Sequence, residues 1–220
     1  MLRKLFPWIG KKKTMKLVYI PGACSLAVHM ALVKAGQTVE LAPYDPASKT
    51  VAGGQPLAEI TEKPYVPTLI MEDGEILNET AAILMSLDEL YPNADLLPED
   101  IKKRREAREW LVFVSSELHK TFAPLFGPEL PEEQEKAIRA KISDRFDFVA
   151  SKLQENGPFL TGETLHAPDM YLYVMTFWAV VKNISLDHWP SIAQFQKDVA
   201  ANEAMAAALS AEGLPIPGAA

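Results

Sequence analysis

The chain of 220 residues contains one cysteine, Cys24, so it can form no internal disulfide and no cysteine-rich zinc site, a pattern that fits a reducing compartment. Long apolar runs are missing as well. No window stays apolar for the ~20 residues of a membrane span, and the basic stretch from Met1 to Thr14 lacks the apolar core of a signal peptide. Positive charge is in deficit, with 22 Lys plus Arg against 29 Asp plus Glu for a net charge of −7, which argues against a nucleic-acid surface. No internal repeat suggests a solenoid. These absences point to a cytoplasmic protein with neither a membrane nor a nucleic acid as partner. What remains is a globular composition, 48% hydrophobic and 23% charged, long enough for one large or two ordinary domains.

Two patterns divide the chain. Lys16 to Ile20 reads as a strand, and Ser25 to Ala35 as a helix with Leu26, Met30 and Val33 on one stripe, stopped by Gly36. Thr38 to Leu41 reads as a second strand. Ala42 to Lys63 is rich in Pro, Gly, Ser and Thr and reads as loop with one irregular helical turn. Thr68 to Glu72 and Glu75 to Leu77 flank Asp73-Gly74, a hairpin turn, and Asn78 can cap a helix from Glu79 to Leu90. The order implies a βαβ crossover followed by an antiparallel hairpin and a closing helix. Beyond Pro98 the period is helical throughout: Leu111, Val114 and Leu118, then Ile138, Ile142, Phe146, Val149 and Leu153, then Ile192, Phe195 and Val199. Tyr171 to Val181 is apolar nearly all round, so its aromatics and Trp178 read as core.

Several positions carry chemistry, each beside a plainer alternative. Cys24 follows Pro21-Gly22-Ala23 where a strand ends and a helix begins; unpaired N–H groups and the helix dipole there favour thiolate, whereas most free cysteines are small buried hydrophobes. Val66-Pro67 precedes a strand: a cis bond would leave the valine backbone free to pair with an extended ligand, and a trans proline at a strand start is the commoner case. At Glu79-Thr80, the helix N–H groups and the Thr80 hydroxyl suit a carboxylate and Glu79 an ammonium, though ordinary capping needs the same residues. His119-Lys120 ends the run Ser115-Ser116-Glu117-Leu118, either on the rim of an interdomain cleft or on a solvated face. His29 and His188 have no metal-ligand spacing with partners.

Taken together, the motifs resemble a cytosolic glutathione transferase of the bacterial beta class, from Met15 to about Pro215. The resemblance rests on Pro21-Gly22-Ala23-Cys24-Ser25, on Val66-Pro67 at the family's cis-proline, on Glu79-Thr80, and on Glu117-Leu118-His119-Lys120 with Pro124-Leu125-Phe126. It implies an α/β thioredoxin-like N-terminal domain (15–92), a linker (93–98) and an all-α C-terminal domain (99–213), between an N-terminal extension (1–14) and a loose tail (214–220). It also implies a homodimer that takes glutathione as co-substrate, with no permanently bound cofactor or metal, and a small hydrophobic electrophile as partner.

Carried over by position, the resemblance puts Cys24 beside the glutathione sulfur, with His119 approaching from the helical domain. Ser25 is a further donor, and Tyr19 the fallback hydroxyl. Val66 and Pro67 pair with the cysteinyl residue, Glu79 and Thr80 hold the γ-glutamyl group, Lys49 falls near the glycyl carboxylate, and Ser116 and Lys120 lie on the rim. Two departures are expected to matter. Val112 stands where relatives can supply an asparagine to glutathione, and His166 replaces a Ser or Thr cap three residues before Asp169, a loss worth about 1 kcal/mol. Conjugation of glutathione to electrophiles is the leading reading. Disulfide exchange or peroxide reduction through Cys24, and a non-catalytic glutathione-binding dimer, are the alternatives. A cysteine hydrolase fits less well, because no Asp or Asn is identifiable as a partner that orients His119.

Overall fold

The computed structural model describes residues 14–217. The basic extension therefore lies outside the described residues except for Thr14. Five strands form one mixed sheet: β1 (Met15–Tyr19), β2 (Val39–Asp45), β3 (Thr50–Val51), β4 (Thr68–Ile70) and β5 (Ile76–Asn78), in the order β3-β2-β1-β4-β5. β1 pairs parallel with β2, Leu17 opposite Leu41, and antiparallel with β4, Leu17 opposite Leu69. Strand alternation sends Leu17 and Leu69 to one face, under α1 (Ser25–Lys34) and α2 (Thr80–Leu90). It sends Val18 to the other, where Ala42, Val51 and Leu57 close over it.

The strand predicted over Thr38 to Leu41 is longer, and the loop expected after it is partly strand. β2 continues through Pro43 to Asp45 and turns back into β3, with Tyr44 opposite Val51. Pro43 has no N–H to give, but its carbonyl accepts from Ala52 N–H at 3.0 Å, so it is tolerated where the β1–β2 ladder ends. Asp45 caps the turn, accepting from Ala47 N–H at 2.9 Å and from the Ser48 hydroxyl at 2.7 Å.

The helical half begins with α3 (Ile101–Phe113), which runs into a π-helical turn (Val114–His119) and α4 (Lys120–Phe122). α5 (Glu132–Asn156), α6 (Ala167–Val181), α7 (Pro190–Ala201) and α8 (Glu203–Ala211) follow. α6 is buried over most of its length, as its apolar circumference predicts, and it packs on α1, as does α8. The connection between the halves is itself core: Leu96 and Leu97 are buried, Leu97 N–H donates to Asp88 at 3.1 Å, and Asp88 also pairs with Arg104 from α3. The tail expected to be loose packs in part, with Leu214 and Ile216 against the core. Among the described residues no helix is long and apolar enough to cross a membrane, and no group of three His, Cys, Asp or Glu residues can hold a metal ion.

The start of α6 corrects the expectation of a missing cap. His166 does not cap through its ring, which pairs with the Thr161 hydroxyl at 3.0 Å. Instead Asp169, fully buried, accepts from His166 N–H at 2.9 Å and from Leu160 N–H at 2.8 Å. One carboxylate thus satisfies two buried donors. Asp169→Ala strands both, and unfolding in urea should show a loss of about 2–5 kcal/mol with an unchanged denaturant slope, whereas Asp169→Asn, keeping one acceptor oxygen, should cost less.

Candidate functional site

The Pro21-Gly22-Ala23-Cys24 loop is held from distant parts of the chain. Gly22 has φ +72°, and a Cβ there would lie 2.8 Å from Phe177 Cε1, so conformation and space both demand glycine. Its N–H donates to Glu212 Oε2 at 3.0 Å, and its carbonyl accepts from Trp178 Nε1 at 2.8 Å. The second Glu212 oxygen bonds His29 Nδ1 at 2.9 Å. α1, α6 and the segment after α8 therefore all act on the two peptide groups that flank one residue.

Cys24 stands at the head of α1 and is 5% exposed. Its thiol donates to the Val66 carbonyl at 3.5 Å. The expected bias toward thiolate is overturned. Burial pushes the thiol up to about 11, outweighing the downward pull of the Thr80 hydroxyl and of the Cys24 and Ser25 N–H groups, while the Glu79 charge adds to the rise. Ser25 also differs from expectation. Its hydroxyl is buried and donates to the Ile20 carbonyl at 3.2 Å, closing the turn, so only its N–H faces the sulfur.

The Val66–Pro67 peptide bond is cis. Among the described residues the Val66 N–H has no hydrogen-bond partner, leaving one backbone donor free beside the Cys24 thiol. At the head of α2, Asn78 is not the cap. Its amide bridges the Thr68 hydroxyl at 2.8 Å and its oxygen accepts from the Thr61 hydroxyl at 3.0 Å, tying the proline loop to β5. Glu79 occupies the cap position at φ +70° with no side-chain capping bond, and its carboxylate accepts from the Tyr65 hydroxyl at 2.6 Å. Thr80 is buried, its hydroxyl turned to the Cys24 sulfur.

His119 closes the site from the helical half. The π-helical turn, in which Lys120 N–H reaches back to the Ser115 carbonyl, replaces the regular helix expected there; such turns widen the helix and re-aim its side chains. His119 Nδ1 lies 2.6 Å from the Tyr171 hydroxyl, and the ring meets Trp178 edge-on at 5.0 Å between centroids. Burial, and then the Lys120 charge, bring His119 down to about 4, so the ring is neutral near pH 7. Burial pushes the Tyr171 phenol above its ordinary range, with Ser115 and Thr80 pulling the other way.

The structure thus brings together Cys24, Val66, Thr80 and His119, with Glu79 one residue away. It leaves others apart. Lys49 is exposed at φ +59° and Ser116 is exposed with its hydroxyl on the Val112 carbonyl at 2.9 Å. Lys120 is exposed beside His119. Tyr19 makes no hydrogen bond to Cys24 among the described residues; burial, and then the nearby Glu212 charge, raise its phenol. Tyr171, Trp178 and Glu212 were not legible as site residues. For the two aromatics the signal is a polar tip, which Tyr173 on the same helix carries as well, and for Glu212 there is none.

Comparisons with known proteins agree with this geometry. The family described as "Glutathione S-transferase, N-terminal domain" matches residues 24–95. Glutathione S-transferase GstA of Escherichia coli O157:H7 is 35% identical over 201 residues, covering 91% of this chain and all of that protein. A ternary complex of BphK, a bacterial GST, superposes with a TM-score of 0.86 at 42% identity, over 90% of this chain and all of that one. A bacterial beta class glutathione S-transferase of Sphingomonas chungbukensis does so at 0.85 and 32% identity, over 91% of this chain and all of that one. The chain belongs to the glutathione S-transferase family. It is accordingly a transferase with glutathione as co-substrate, on a thioredoxin-like sheet followed by a helical half.

With its thiol near 11, Cys24 holds only about one part in 10⁴ as thiolate at neutral pH. Alkylation of the folded protein by iodoacetamide should run on the order of 10²-fold slower than that of free cysteine near pH 7.5 and keep rising past pH 9. A rate that levels off below pH 8 would contradict the burial argument.

Proposed function

We propose that the cleft binds reduced glutathione in extended form and delivers its thiolate to an electrophilic carbon of a small hydrophobic co-substrate, the chemistry of detoxification. The observation that carries this reading is the free Val66 N–H beside a carbonyl occupied only by the Cys24 thiol. A cysteinyl N–H of the ligand pairs with that carbonyl and displaces the thiol, which then turns to the glutathione sulfur. The γ-glutamyl carboxylate meets the N–H groups at the head of α2, an eleven-residue helix, and the Thr80 hydroxyl; its ammonium meets Glu79. Lys49 supplies the charge for the glycyl carboxylate, and Lys120 and Ser116 line the rim.

Free glutathione, a thiol of pKa about 8.5, is mostly protonated at pH 7. A neutral Cys24 thiol is a donor to a neighbouring thiolate, and a neutral His119 is a second one in the tautomer whose Nδ1 accepts a hydrogen bond from the Tyr171 hydroxyl while Nε2 carries the ring's proton. Both lower the substrate's pKa. The sulfur–carbon bond then forms as the leaving group departs with its electron pair, and the thiol proton passes to solvent. Cys24 as a nucleophile in disulfide exchange or peroxide reduction is disfavoured by its burial. The non-catalytic reading rests on Val112, which is 55% exposed on α3, about two helical turns before His119.

Cys24→Ala should keep at least about a tenth of the conjugation rate, since one hydrogen bond to an ionised sulfur is worth about 1.5 kcal/mol. The parent enzyme should form no mixed disulfide with oxidised glutathione by intact mass. A mixed disulfide in the parent would make Cys24 a nucleophile, complete loss of conjugation in the variant would overturn its role as one donor among several, and glutathione affinity without turnover of any electrophile would favour the non-catalytic reading. The homodimer is proposed through the α3–α5 face, where Trp110, Phe113 and Phe148 cluster at 5.3–5.6 Å between centroids and Phe148 and Val112 are exposed. Phe148→Arg should shift the mass in light scattering from two chains to one; an unchanged mass would place the interface elsewhere.

A further inference from the structure

Tyr65 precedes the Val66–Pro67 pair and is 43% exposed, yet it is firmly held. Its N–H donates to the Lys63 carbonyl at 2.8 Å, and its carbonyl accepts from the Thr68 hydroxyl at 2.9 Å. With the main chain tied on both sides, only two side-chain torsions set where the phenol points. It points across the gap between the proline loop and the head of α2, and donates to Glu79 Oε1 at 2.6 Å. That distance is typical of a short, charge-assisted O–H···O⁻ bond.

Glu79 needs such a partner. At φ +70° and ψ 114° a non-glycine residue is strained, and no capping bond holds its side chain. The exposed carboxylate would otherwise sample several rotamers. We propose that Tyr65 is a positioning residue for glutathione, fixing Glu79 so that its second oxygen, Oε2, faces the γ-glutamyl ammonium. This rests on the assignment of Glu79 made above. A carboxylate accepts on both oxygens, so phenol and ammonium bind it together and do not compete. The hydrogen bond to Glu79 also raises the phenol's pKa, so Tyr65 remains a donor wherever the enzyme works.

The test is Tyr65→Phe, which deletes one oxygen. KM for glutathione should rise about five- to tenfold with kcat at saturation unchanged, the effect of losing one pre-set rotamer. In calorimetry, S-methylglutathione should bind the variant weaker by the same factor. The analogue with glutaryl in place of γ-glutamyl, which lacks the amino group, should bind parent and variant alike, a distinction that general loosening of the loop would not produce. Equal weakening of both ligands, or of neither, overturns the proposal. Glu79→Gln separates the two layers: if it leaves S-methylglutathione affinity intact, the Glu79 assignment fails. If it weakens binding while Tyr65→Phe does not, only the positioning role fails.

Discussion

The fixing of the Gly22 backbone on both sides is the constraint on which the site depends. Its N–H is held by Glu212, from just beyond the last helix, and its carbonyl by Trp178, from the last turn of α6. Both bonds are buried, so losing either leaves an unpaired polar group in the core at a cost of about 1–3 kcal/mol. Trp178 also packs against His119, so one indole sets the distance between the Cys24 loop and the histidine that faces it. The Cys24 loop is therefore positioned by the helical half as much as by the sheet that precedes it.

Within that frame, burial decides the chemistry. A cysteine at a helix head reads from sequence as an incipient thiolate, because dipole and N–H groups are local and visible. Desolvation is neither. It comes from α6, the proline loop and α2 closing around the sulfur, and it outweighs the local donors. The same enclosure keeps His119 neutral. Two groups that attract attention as a charged pair are thus an uncharged one, suited to donating hydrogen bonds to a sulfur brought from outside.

Much of the fold was legible. β1, α1, the Asp73-Gly74 hairpin and the switch to helical period beyond Pro98 all follow from local pattern. The extension of β2 was hidden by Pro43 and Pro46, which read as loop although a strand end tolerates them. Of the site, Cys24, Val66 and Thr80 each sit beside a turn or helix boundary with its own signature, whereas His119 lies inside a helical pattern and is named through the family resemblance. Tyr171 could not, since a tyrosine in an apolar helix looks the same whether its hydroxyl meets a histidine or a gap in packing. Glu212 was beyond reach for another reason: its partners lie 183 and 190 positions away, and no local pattern encodes such a pairing.

The buried connection at Leu96 and Leu97 has a consequence for how the molecule comes apart. α1 is enclosed between the sheet and α6 and α8, and the buried apolar side chains run unbroken from β1 to α8. Neither half can shed the other without exposing a large apolar face to water. Though two architectures are joined in this chain, they should melt as a single cooperative unit, and cutting the chain at the connection should yield two pieces that must recombine to regain their folds.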